Sequence, residues 1–174
     1  MEIRFGKPPI SLSENEFHAL DYQVMGLAFG IHNEMGNLWN EHEYRKELGS
    51  RCRFAGMDAS EEVPVTIELN GFRKTYFIDL LINGAVYELK TASGINDHHE
   101  AQLLNYLFLT NTKHGKIINF RPDSLQWRFV STSIHQDIRR AYAIDTTAYH
   151  PIHDLEQDVL KTMEDLLSSW GSFL

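Results

Sequence analysis

One segment in the middle of the chain limits the possible folds most: Tyr76-Phe-Ile-Asp-Leu-Leu-Ile-Asn-Gly-Ala-Val-Tyr-Glu-Leu-Lys90. Asn83-Gly84 stands between two apolar runs. A two-residue type I′ turn needs positive φ at both central positions, and Asn and Gly tolerate it. With those two as the loop, Ile82 pairs with Ala85, Leu81 with Val86, Leu80 with Tyr87 and Asp79 with Glu88. Directly opposed side chains in an antiparallel pair have Cβ atoms about 4.5–5.5 Å apart, and like charges there are destabilising. The Asp79–Glu88 pair therefore asks for a counter-charge, which a divalent cation would supply. Alternation puts Ile78, Leu80, Ile82, Ala85, Tyr87 and Leu89 on one face, which reads as the core face. Phe77, Asp79, Leu81, Val86, Glu88 and Lys90 share the other, with three ionisable residues at the end away from the turn.

The flanking sequence places this hairpin in an α/β domain. Residues 1–13 read as an irregular arm. From Glu14 to about Asn33, Phe17, Leu20, Val24, Leu27, Ala28 and Ile31 recur near helical spacing, and Ser13 with Glu16 forms a capping-box signal. A second helix is expected from about Leu38 to Phe54, ended by Gly56. Strands are expected over Glu62–Leu69, Phe72–Ile82 and Ala85–Thr91, with Asn70-Gly71 as a second hairpin turn that sets Glu68 against Arg73. A helix over His98–Thr110 has Asn96 or Asp97 as its cap. Short strands follow at Lys116–Phe120 and Leu125–Ser131. From Ile152, the residues Leu155, Val159, Met163, Leu166 and Trp170 form one apolar helical stripe. Packing on its own domain is the preferred reading of that stripe, and a homodimer contact is the alternative. The 174 residues are read as a single domain.

Asp79 and Glu88 on adjacent strands offer oxygen ligands of the kind Mg²⁺ and Mn²⁺ prefer. A bound ion would activate a water and offset phosphate charge. Lys90 beside them would orient that water or stabilise developing charge. A solvated strand face ending in a Lys–Glu pair is the plainer reading of the same residues. The helix that follows adds Gln102 and Tyr106, four apart and on one face, able to hydrogen-bond a phosphate or a metal's outer ligands. His32, His98, His99, His150 and His153 read as structural or surface residues, and no Cys/His spacing suggests zinc. Glu43 and Glu47, beside Arg45 and Lys46, read as a solvated helix face. Trp39, Trp127 and Trp170 read as core or interface anchors rather than base-stacking platforms.

Taken in order, Asp79, Glu88-x-Lys90 and Gln102-x-x-x-Tyr106 resemble the PD-(D/E)xK nuclease superfamily. The pattern looks most like its bacterial branch named after a Gly-x-x-Glu-x-x-Tyr motif. The matching stretches are Gly26-x-x-x-x-Ile31-His-Asn-Glu-x-Gly36, Glu41-x-x-Tyr44, Asp79-Leu-Leu, Glu88-Leu-Lys90, His99-Glu-Ala-Gln-Leu-Leu-Asn-Tyr106-Leu and Ile118-Asn-Phe120. The resemblance covers about residues 24–130, and a helical extension over about 133–174 lies outside it. It implies a restriction-endonuclease-like α/β core, a mixed sheet of about four to five strands flanked by helices. It also implies a metal site of Asp79, Glu88 and the helix residue Glu41, with Lys90 as the catalytic lysine. Gln102, Tyr106 and His99 would line the site, His99 touching substrate or capping its helix. Two departures stand out: Leu38 replaces the motif glycine, and Ile78 stands where the superfamily name has proline.

The implied activity is metal-dependent hydrolysis of phosphodiester bonds in nucleic acid, with DNA preferred. A nuclease fold that binds or regulates without turnover is the main rival, and hydrolysis of another phosphate ester is a third reading. The net charge of −8 argues against a broadly basic nucleic-acid coat. No apolar run approaches a membrane span, and the first residues lack the apolar run of a secretory signal. With the lone Cys52, this points to the cytoplasm.

Overall fold

The computed structural model describes residues 2–134, 138–139 and 141–171. Among them are six strands and four helices: β1 (Glu2–Phe5), α1 (Glu14–Met35), α2 (Glu41–Phe54), β2 (Ala59–Leu69), β3 (Phe72–Ile82), β4 (Ala85–Lys90), α3 (Asp97–Thr110), β5 (His114–Asn119), β6 (Gln126–Ser131) and α4 (Asp154–Trp170). The strands form one mixed sheet in sequence order. Every neighbouring pair is antiparallel except β4 and β5, which run parallel because α3 connects them. The sheet is thus slightly larger than expected.

Both hairpins form as their turn residues dictate. Asn70-Gly71 has φ of 48° and 85°, and Asn83-Gly84 has 46° and 85°. Glu68 faces Arg73, 3.3 Å away. Ile82, Leu81 and Leu80 pair with Ala85, Val86 and Tyr87. The capping box at α1 is also present: Ser13 Oγ accepts the Glu16 N–H at 3.4 Å, and the Glu16 carboxylate accepts the Ser13 N–H at 2.8 Å.

Several expectations are corrected. Residues 2–5 are not an irregular arm but an edge strand paired with β2. Ile3 and Phe5 alternate with Glu2 and Arg4 and pack on the core, a period-two signal too short to stand out. β2 starts at Ala59, three residues before the expected Glu62. α2 starts at Glu41 rather than Leu38, because Asn40 is extended (ψ 171°) and Leu38 is left 83% exposed. In α4, Leu155, Val159 and Met163 are 74%, 50% and 52% exposed, so this part of the stripe does not pack on the domain. The Trp170 side chain lies outside the described residues.

The largest correction concerns the faces of the central hairpin. The sheet is covered on both sides. Leu80, Ile82, Ala85, Tyr87 and Leu89 pack with α1 and α2 residues such as Phe17, Ala28, Tyr44 and Leu48. Leu81 and Val86 pack with Leu103 and Leu107 of α3. Ile78 belongs to this second layer, although parity assigns it to the first. The break lies at Asp79. The β2–β3 register passes from Glu61–Leu80 to Val63–Ile78, skipping Glu62–Asp79, and the β3–β4 register stops at Leu80–Tyr87. Glu62 takes φ of 49°, which a non-glycine residue adopts at a cost. On β2, likewise, Ala59 faces one layer while Val63, Val65 and Ile67 face the other. The distortion resets the alternation and leaves Asp79 outside both strand ladders.

Candidate metal and catalytic centre

With no ladder partner, Asp79 makes its own contacts. Its Oδ2 accepts the Leu89 N–H at 2.9 Å, so the side chain bridges to β4 where the backbone pairing has stopped. Its Oδ1 accepts from Arg45 Nη1 at 3.2 Å. The sequence-derived picture of Asp79 and Glu88 as directly opposed ladder partners is therefore replaced. The two carboxylates still share a neighbourhood, but each has its own cation. Lys90 Nζ donates to Glu88 Oε1 at 2.5 Å.

Glu88 is only 1% exposed, and its second oxygen, Oε2, is buried with no hydrogen-bond partner. Burial, reinforced by Asp79, pushes its carboxyl up to about 8, against the pull of Lys90. Burial acts to lower the pKa of Lys90, but Glu88, Glu41 and Asp79 outweigh it and hold the ammonium above the ordinary lysine value. Glu41 lies 3.9 Å from Lys90 Nζ. Its carboxyl is raised by burial and by Asp79 and lowered by Lys90 and Arg45, so it shares the site's field. Among the described residues, no group of three His, Cys, Asp or Glu is gathered closely enough to hold a metal ion. The structure brings Asp79, Glu88 and Lys90 together and leaves Glu41 at the rim.

Gln102 and Tyr106 meet as their spacing on α3 requires: Gln102 Nε2 donates to the Tyr106 hydroxyl at 3.2 Å. Burial raises the Tyr106 pKa, and Glu88 and Asp79 add to the rise. His99 caps its helix, its Nδ1 accepting the Asn96 N–H at 3.3 Å while its own N–H donates to Asn96 Oδ1 at 3.2 Å. Burial and then Lys90 lower its pKa. Tyr44 is fully buried, stacks on Phe120 and donates to the Gly36 carbonyl at 2.7 Å, which fixes the loop leading to Glu41. His32 is structural, with Nε2 2.9 Å from the Pro122 carbonyl oxygen. Trp39 and Trp127 are about half exposed rather than core anchors.

Sequence reasoning missed two residues of this centre. Arg45 reads as part of a solvated run, yet it is 8% exposed and joins Asp79 to Glu62 (2.7 Å) and His42 (3.1 Å). A signal was present: Arg45 lies four residues after Glu41, so both share the helix face turned to the site. Asn119 closes the end of β5. Its Oδ1 accepts the Ala92 N–H at 3.0 Å and its Nδ2 donates to the Ala92 carbonyl at 2.8 Å, clamping the segment just past Lys90. The carboxyl ends of the parallel strands β4 and β5 thus frame the site, where ligands sit in open α/β sheets.

The residues present fit a hard divalent cation. Mg²⁺ takes oxygen ligands, keeps several waters and needs only one or two carboxylates from the protein. Asp79 and Glu88 offer these, and the unpartnered Glu88 Oε2 is an oxygen still lacking a donor or cation.

No curated protein and no solved structure matches the chain. A sequence profile of the PD-(D/E)XK nuclease superfamily matches residues 18–130, well over half of the chain and the whole of the site just described. The six-stranded mixed sheet with helices on both faces agrees with it. The chain belongs to the PD-(D/E)XK nuclease superfamily.

Proposed function

We propose that this chain is a Mg²⁺- or Mn²⁺-dependent nuclease that hydrolyses phosphodiester bonds in DNA. Asp79 and Glu88 hold the ion, and Glu41 contributes through a water rather than as a direct ligand. Such an ion, when bound, lowers the pKa of a coordinated water and offsets charge on a phosphate oxygen. Lys90 orients the attacking water and stabilises the charge that builds on the phosphoryl group. Glu41, its carboxyl raised by burial, is suited to accept that water's proton. Gln102, Tyr106 and His99 position the substrate. The Glu41-x-x-Tyr44 pair supports placing the chain in the branch named after its Gly-x-x-Glu-x-x-Tyr motif.

One observation carries this reading. Glu88 is a buried carboxylate with an unpartnered oxygen, beside Asp79 and Lys90, where the sequence resembles the superfamily's Asp and Glu-x-Lys motif. Buried polar atoms are normally satisfied, and an exception points to a missing partner. The test is cleavage of linear, circular and single-stranded DNA and of RNA in Mg²⁺ and Mn²⁺, with Lys90→Ala as control. Metal-dependent cleavage lost in Lys90→Ala, with the circular dichroism spectrum unchanged, supports the assignment. Undiminished cleavage by that variant sinks it.

A second reading, a nuclease fold that binds nucleic acid without turnover, has one observation in its favour. Arg45 already occupies Asp79 Oδ1. Calorimetry showing no Mn²⁺ binding to the intact chain would decide for it. No helix among the described residues is long and apolar enough to cross a membrane. The buried, unpaired Cys52 supports a cytoplasmic location.

A further inference from the structure

The Asp79 and Glu88 side chains present four oxygens between them, and three are engaged. Leu89 N–H and Arg45 hold those of Asp79, and Lys90 holds Glu88 Oε1. The Leu89 donor is backbone and fixed, and it leaves a second lone pair on its oxygen. Lys90 is bound to its strand neighbour two residues away. Arg45 differs from both. It reaches from another element, and it already has a shorter contact elsewhere: 2.7 Å to Glu62 Oε1 against 3.2 Å to Asp79 Oδ1. Glu62 is a suitable second seat because its carboxylate is 59% exposed, so holding the guanidinium there keeps the pair partly solvated. The ring of His42, 3.1 Å from Nη2, borders the same position. Arg45 itself is nearly buried, and its Nε has no partner. The guanidinium is therefore not optimally placed for a purely structural bridge.

We propose that Arg45 is an internal counter-ion of the carboxylate pair, which competes with the divalent cation for Asp79 and moves onto Glu62 when that cation binds. This rests on the proposed metal site and adds a positioning residue to it. A guanidinium cannot lose its charge in a protein, so it cannot share Asp79 Oδ1 with a divalent ion without direct repulsion. Metal affinity is then set by the exchange of one cation for another, and Glu62 decides how easily Arg45 leaves.

The experiment is Mn²⁺ titration of the full chain by calorimetry, with no nucleic acid present. Four proteins are compared: wild type, Arg45→Gln, Glu62→Gln and the double variant. Arg45→Gln is expected to bind Mn²⁺ at least tenfold more tightly than wild type. Glu62→Gln removes the second seat and is expected to bind several-fold more weakly. In the Arg45→Gln background the Glu62 change is expected to lose most of its effect, the sign of coupling through one residue. A merely structural Arg45 predicts the reverse: weaker binding without it and no dependence on Glu62. Equal or weaker affinity in Arg45→Gln overturns the proposal, as does an unchanged affinity in Glu62→Gln, which lies at the surface and tests the idea even where Arg45→Gln misfolds. Absence of Mn²⁺ binding in all four overturns both this proposal and the metal site beneath it. Cleavage assays are read separately, so a nuclease that fails only the affinity comparison leaves the proposed function standing.

Discussion

Replacing Glu88 with glutamine is expected to stabilise the metal-free protein while removing a ligand of the proposed metal site. The carboxyl is raised from 4.5 to about 8 because it is buried beside Asp79. Between those values the folded chain binds more protons than the unfolded one, so stability falls as pH rises. Each pH unit costs about 1.36 kcal/mol, so by pH 7 the penalty is about 3 kcal/mol, and it is complete only above pH 8. Glutamine fills the same volume without titrating. It weakens the hydrogen bond from Lys90, which also stands 3.9 Å from Glu41, and that loss takes back about 1 kcal/mol. The net expectation at pH 7 is a gain of about 2 kcal/mol that shrinks toward zero, or reverses, at pH 5. Urea unfolding in EDTA at a series of pH values from 5 to 8 measures it. The informative quantity is the difference between variant and wild type, in which the contributions of groups remote from Glu88 cancel. A variant less stable at pH 7, or a difference flat with pH, would refute the claim that folding holds Glu88 protonated at a cost. Metal would offset that cost in the loaded protein.

Three more outcomes are expected. If Glu88 is a ligand of the proposed metal site, it must ionise to bind the cation, so Mn²⁺ affinity should rise up to tenfold per pH unit below about 8 and level off above it, with proton release seen by calorimetry in buffers of different ionisation enthalpy; a pH-independent affinity contradicts this. Asn119→Ala removes both hydrogen bonds that clamp Ala92, which should cost about 1–3 kcal/mol of stability and speed hydrogen exchange at the Ala92 amide; unchanged exchange would show that Asn119 does not hold that segment. If the exposed stripe of Leu155, Val159 and Met163 on α4 is a contact between copies, light scattering should report a dimer that Met163→Glu dissociates; a monomer throughout a concentration series rules that pairing out.

Much of this molecule is written in short-range signals. Asn70-Gly71 and Asn83-Gly84 set two hairpins and their registers because the dihedral preferences of adjacent residues are enough to do so. Ser13 with Glu16 starts α1, and the four-residue spacing of Gln102 and Tyr106 brings their side chains together, both consequences of helix geometry alone. The order of Asp79, Glu88 and Lys90 carries the family as well. What the sequence could not show is which distant groups meet. The edge strand β1 exists because β2 offers it a ladder, and both faces of β4 are buried because α3 folds back across the sheet. The irregularity at Glu62 and Asp79 takes Asp79 out of both ladders, so an apparent pair of opposed carboxylates becomes two carboxylates with separate cations. Arg45 and Asn119 join the site from elsewhere in the chain. Turn chemistry and helix spacing act over a few residues and survive translation into sequence. The partner of a buried charge is chosen by desolvation, which acts only once the whole chain has closed around it.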